Sequence, residues 1–102
     1  MTKYTLYVGL FDKDSKAQEI STLDAFKIAA NVFAEITGGA TITEGTGVYT
    51  HDDGTVVIEP TLVCVVFGAE RQQILEASEM LKMLFNQAEI AMESVESNSC
   101  FI

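Results

Sequence analysis

Glu59 is the residue in this chain whose setting most invites chemistry, because it interrupts an otherwise apolar run, Val56-Val57-Ile58-Glu59-Pro60-Thr61-Leu62-Val63. A strand carboxylate among hydrophobic neighbours can have its pKa raised and then act as an acid or a base. The same residue, followed by Pro60, also fits a place where the strand bulges towards solvent. Tyr4, Tyr7 and Tyr49 supply hydroxyls and flat faces for stacking, although a core or an interface would use them equally well. His51, the single histidine, stands beside Asp52 and Asp53. His-Asp adjacency suggests a base with its orienting partner, but no nucleophile lies nearby and turn chemistry accounts for all three residues.

Two loops could bind. Asp12-Lys13-Asp14-Ser15-Lys16 alternates carboxylates in the manner of a calcium loop. An EF-hand would need Gly at its sixth position and Glu at its twelfth, where this chain has Ala17 and Leu23. The stretch therefore reads as a solvated loop whose cations, Lys13 and Lys16, are placed to clamp a partner. Gly45-Thr46-Gly47 lacks the strand-to-helix setting and the further glycines of a phosphate-binding loop. It reads as a β-bulge, or as a Gly-lined surface where a ligand or another backbone comes close. Arg71 is the remaining cation that a pocket for an anion would recruit. No cofactor or metal is expected from any spacing.

The balance of charge narrows the partners. Among 102 residues, six Lys+Arg stand against fifteen Asp+Glu, a formal net charge of −9. The cations are scattered, whereas nucleic-acid binding requires them clustered, so direct nucleic-acid binding is not expected. Acidity suits a solvated surface, a basic protein partner or mimicry of nucleic acid. Cys64 and Cys100 are too few for a disulfide framework and lack zinc spacing. The first residues lack the apolar stretch of a signal peptide, and Leu62 to Phe67 is too short to span a bilayer. The expectation is a cytoplasmic protein without membrane contact.

These residues need elements to position them. Residues 4–11 are aromatic and branched and read as a central strand. Ser21 or Thr22 opens a helix whose inner face is expected at Leu23, Phe26, Ala30, Phe33 and Ile36 or Thr37, with Gly38-Gly39 ending it. Residues 40–50 and 55–67 read as strands joined at His51-Asp52-Asp53-Gly54, with a break expected near Glu59-Pro60. Residues 69–87 form a second amphipathic helix with Ile74, Ala77, Ser78, Leu81 and Leu84 or Phe85 inward, and residues 88–96 a last strand. Residues 97–102 are a tail to one domain spanning 1–102. The order β-α-β-β-α-β predicts a ferredoxin-like α+β sandwich: a four-stranded antiparallel sheet with two helices on one face.

Alternation then places Tyr4, Leu6, Val8 and Leu10 on one sheet face and Thr5, Tyr7, Gly9 and Phe11 on the other. Both faces carry large apolar groups, so the face without helices requires a cover. A second copy of the chain, the tail Cys100-Phe101-Ile102, or a flat ligand would each serve; a homodimer is the principal expectation.

The segment Tyr4-Thr5-Leu6-Tyr7-Val8-Gly9-Leu10-Phe11-Asp12-Lys13-Asp14, with Gly45-Thr46-Gly47-Val48-Tyr49 and Glu59-Pro60-Thr61-Leu62-Val63, resembles a group of short proteins from bacteria and their phages. The resemblance covers residues 4–67 and implies a small ferredoxin-like domain, a phage or mobile-element accessory protein, and no particular catalytic role. The expected function is a non-enzymatic binding module, a homodimer that sequesters a small signalling ligand or blocks a host defence protein. Its binding residues would be Tyr4, Tyr7, Gly9, Phe11, Lys13, Lys16, Gly45, Gly47, Tyr49, Glu59 and Arg71. Two readings compete with it. One is a small enzyme of the dimeric α/β-barrel type with Glu59, His51 and the tyrosines as acid–base groups; the other is a structural assembly subunit.

Overall fold

The computed structural model describes residues 1–102, in the order β1 (Thr2–Gly9), α1 (Thr22–Ile36), β2 (Thr41–Thr50), β3 (Val56–Phe67), α2 (Arg71–Phe85) and β4 (Ala91–Glu96). The four strands form one antiparallel sheet ordered β2-β3-β1-β4, the ferredoxin-like arrangement expected from the sequence. Period-two alternation sends Tyr4, Leu6, Val8, Leu62, Cys64 and Val66 to the helical side, where they are buried with Phe33, Ile74, Leu81 and Phe85.

Local chemistry fixes the helix ends. The Ser21 side chain accepts the Asp24 N–H at 3.2 Å, which caps α1, and Asp24 adds favourable charge in the first turn. The Glu70 N–H donates to the Gln73 side chain at 2.8 Å in the capping box that opens α2. Asn86 ends α2 in the left-handed region at φ 50°, which Asn tolerates better than other side chains with a Cβ.

The inner face of α1 differs from the expected one. Ala25, Ala29, Val32 and Phe33 are buried, Leu23 is 65% exposed, and Ala30 faces solvent. α1 lies closest to α2, and the small Ala25 and Ala29 let the two helices come together, so the buried stripe is rotated towards them and away from the larger Leu23. In α2 the expected Ile74, Ala77, Leu81 and Phe85 are buried, whereas Leu84 is exposed.

The bulges expected at Gly45–Gly47 and at Glu59–Pro60 do not form. β2 and β3 pair one to one through Gly45↔Thr61, Thr46↔Pro60 and Gly47↔Glu59. Pro60 lies where its missing N–H is not needed, just past the Gly9↔Thr61 end of the β1 pairing, while its carbonyl accepts the Leu10 N–H at 3.0 Å. The β2–β3 hairpin runs on past the β1 pairing, leaving Val48, Val56 and Ile58 exposed.

The two thiols sit in opposite environments. Burial pushes the Cys64 thiol up to about 12, while Cys100 is exposed. Native protein at mild alkaline pH should therefore be labelled by a thiol reagent at Cys100 alone, with Cys64 reacting only after denaturant is added. Peptide mapping of the label checks this, and rapid native labelling of Cys64 would contradict the closed core.

Candidate functional site

Tyr7, Gly9, Phe11, Lys13, Lys16, Gly47, Tyr49 and Glu59 come together in one groove of about 710 Å³ on the helix-free face of the sheet. It lies between the extended β2–β3 hairpin and the β1–α1 loop. Three of the expected binding residues stand elsewhere. Tyr4 is buried in the core on the helical side, so its ring meets no ligand. Arg71 opens α2 beyond the Phe67 end of β3, which pairs with Lys3 and so lies at the opposite end of β1 from Phe11. Gly45 is two residues beyond Gly47 on the same face, against Val63, outside the groove lining.

Glycine chemistry shapes the groove floor. Gly9 is adjacent on β1 to the Glu59–Thr61 stretch of β3, and Gly47 pairs directly with Glu59 on β2. A Cβ on Gly9 would lie 2.7 Å from Glu59 Cδ, and one on Gly47 would lie 2.6 Å from Thr61 Oγ1 and 3.6 Å from Glu59 Cγ. With neither Cβ present, the Glu59 carboxylate lies flat over bare backbone. Glu59 Oε2 accepts the Phe11 N–H at 2.9 Å, which fixes its orientation. The expected solvent-ward bulge at Glu59 is thus replaced by a half-buried, oriented carboxylate.

Aromatic groups line the groove. Tyr7 is 41% exposed despite its central strand, and Phe11 is half-buried. Tyr49 meets His51 edge to face, with ring centroids 5.3 Å apart. Partial burial, reinforced by the negative charge of Glu59, raises the Tyr49 pKa above the ordinary phenol value, so the hydroxyl stays protonated and able to donate.

The β1–α1 loop is tied in place. Asp12 Oδ1 accepts the N–H groups of Asp14 at 2.8 Å and Ser15 at 3.0 Å, and the Asn86 side chain at 3.0 Å. The Asn86 side-chain amide also donates to Asp14 Oδ2 at 2.8 Å, and the Asn86 backbone carbonyl accepts the Lys13 N–H at 3.0 Å. Gln87 completes the clasp by donating to the Phe11 carbonyl. The alternating carboxylates thus serve as loop scaffolding.

These hydrogen bonds, led by that from Ser15, hold the Asp12 carboxyl below its usual value; those from Thr55 do the same for Asp53 in the β2–β3 turn. A depressed folded-state pKa contributes stability that is complete above the unfolded value of 3.8 and fades as pH falls through the lower folded value. The protection factors of the Asp14, Ser15 and Thr55 amides, relative to their intrinsic exchange rates at each pH, should therefore fall only below the ordinary carboxylate range. Protection already lost near neutral pH would contradict the clasp.

His51, Thr61, Gln87, Glu89 and Ala91 also line the groove and were not among the expected binding residues. Thr61 lies two residues from Glu59 on the same strand, so period-two alternation was enough to find it. Gln87, Glu89 and Ala91 follow α2, and no local motif marks them. The apolar cover of the sheet is not supplied by the tail, because Phe101 and Ile102 are exposed. No helix is long and apolar enough to cross a membrane.

Fold and groove together define a ferredoxin-like domain with a ligand-sized recess on its open sheet face. No family model matches the chain, and no curated protein matches it in sequence. Among solved structures, it is similar to a phage SAM lyase in complex with S-methyl-5'-thioadenosine, with a TM-score of 0.72 and 20% identity over 93% of this chain and 80% of that one. It is also similar to the divalent cation tolerance protein CutA1 from Thermus thermophilus, with a TM-score of 0.66 and 16% identity over 99% and 88% of the two chains. CutA from Synechococcus elongatus follows, with a TM-score of 0.59 and 14% identity over 94% and 75%. These likenesses establish the fold and agree with the resemblance to small phage and bacterial proteins.

Proposed function

We propose that this protein is a phage-type accessory protein that binds an adenosyl sulfonium of the S-adenosylmethionine class in the groove. The observation that carries the reading is the Glu59 carboxylate, seated on a glycine-cleared floor and flanked by Tyr7, Phe11 and Tyr49. A carboxylate under a recess attracts a cationic sulfur, and flat aromatic walls suit a purine. The fold shared with a phage SAM lyase that holds a thioadenosine supports the same ligand class. Removal of a host-made methyl donor, rather than capture of a defence protein, is then the means of action. We further propose that the working unit is a homodimer, since Val63, Val65, Phe67 and the hairpin residues Val48, Val56 and Ile58 leave apolar surface for a second copy to cover.

A second reading, turnover of the same ligand, is favoured by the protonated Tyr49 hydroxyl beside Glu59, a donor and a carboxylate in one recess. One experiment tests both. The protein is titrated with S-adenosylmethionine by calorimetry, and the mixture is followed by mass spectrometry for S-methyl-5'-thioadenosine. Saturable binding with an unchanged ligand supports sequestration, and release of the thioether supports turnover. No heat and no product would overturn the ligand class.

A further inference from the structure

The groove is chemically two-sided. Glu59 lies on its floor, while Lys13 and Lys16 line it from the β1–α1 loop. In a chain of net charge −9, with only six Lys+Arg, two of those cations face a single recess. Their backbone is held there at some conformational cost: Lys16 adopts φ 61°, a region that side chains with a Cβ rarely occupy. The Lys16 N–H donates to the Asp12 carbonyl at 2.9 Å, closing the turn that sets this conformation. The one salt bridge in the protein joins Lys82 and Glu79, so neither Lys13 nor Lys16 is neutralised by an ion pair. Of the two loop carboxylates, Asp12 already accepts from Asn86 and two backbone N–H groups, and Asp14 accepts from Asn86. Glu89, the other groove carboxylate, comes from the segment after α2.

We propose that Lys13 and Lys16 recognise a carboxylate on the ligand, so that the groove selects a zwitterionic nucleoside carrying an intact amino acid. Asn86 is the positioning residue, because its two side-chain hydrogen bonds to Asp12 and Asp14 hold the lysine-bearing loop against the end of α2. The inference rests on the reading of the groove as a sulfonium-nucleoside site and deepens it: Glu59 reads the cationic sulfur, and the lysines read the amino-acid end.

The test compares wild type with the double variant Lys13→Gln/Lys16→Gln, both at exposed positions, using three probes. S-adenosylmethionine carries sulfonium and amino acid, S-adenosylhomocysteine keeps the amino acid without the sulfur charge, and S-methyl-5'-thioadenosine has neither. The variant should lose about tenfold in affinity for the first two, the scale of one or two charge-assisted hydrogen bonds, and stay within about twofold for the third. Asn86→Gly, which keeps the left-handed cap but removes the side-chain bonds to Asp12 and Asp14, should move affinities in the same pattern by a smaller factor. Equal losses for all three probes, or unchanged affinity for all three, would overturn the carboxylate assignment while leaving the site reading intact. Failure of wild type to bind any probe would overturn both.

Discussion

Gly9→Ala is expected to leave the protein folded and to lower affinity for a cationic ligand about thirtyfold, the equivalent of roughly 2 kcal/mol for a displaced charge-assisted contact. The effect is specific because what the new methyl group meets is the end of a side chain. A Cβ at Gly9 falls 2.7 Å from Glu59 Cδ, and the Glu59 carboxylate must swing away to admit it. Gly9 has no positive φ, so alanine suits the strand there and its smaller unfolded-state entropy offsets part of the crowding. The carboxylate meanwhile loses its place under the groove and its hydrogen bond from the Phe11 N–H. A shifted Phe11 amide resonance together with an unchanged melting temperature would report the local event directly. Glu59→Gln should reproduce most of the affinity loss while keeping the shape of the floor. If Gly9→Ala binds as wild type, the floor is not where the cation sits.

The largest effect on stability is expected from Phe33→Ala, at about 3–5 kcal/mol. Phe33 is fully buried and is the largest side chain to be so, lying between the sheet and the rest of the helical layer. Ala29, one turn away on the same buried stripe of α1, cannot extend into the space it would leave. For a domain whose total stability is about 5–15 kcal/mol, such a loss lowers the melting temperature by roughly 15–30 °C. Chemical denaturation should show the lower midpoint with an unchanged slope. A loss below about 1 kcal/mol would mean that α1 repacks freely on the sheet.

The fold was legible because its signals are local. Ser21 with Asp24, the Gly38-Gly39 stop and the Asp-Gly turn each state an element boundary in adjacent residues, and alternation assigns sheet faces without further information. The rotated face of α1 was not legible, because whether Leu23 or Ala25 faces inward depends on how closely α1 approaches α2, a helix distant in sequence. The missing bulges have a similar cause. Glycines in a strand signal either a distortion or a close approach, and only the side chain opposite, here Glu59 or Thr61, decides between them. Within the site, Tyr7, Gly9, Phe11, Tyr49 and Glu59 follow from alternation on one sheet face. Gln87, Glu89 and Ala91 reach the same recess across the joint between α2 and β4, a relation no local pattern records. Tyr4 and Arg71 were drawn in by residue type, which carries no information about sheet face or sheet end.

The clasp formed by Asn86 and Gln87 has a thermodynamic consequence for any ligand that enters. The loop carrying Lys13 and Lys16 is already held in the free protein by side-chain hydrogen bonds from the residues that end α2. Its configurational freedom is therefore surrendered when the chain folds, not when the ligand arrives. Association should be fast and should lack the strongly unfavourable entropy of a segment that orders on binding. Loosening the clasp would transfer that ordering to the binding step, so the groove would weaken through entropy while its enthalpy of contact stayed nearly constant.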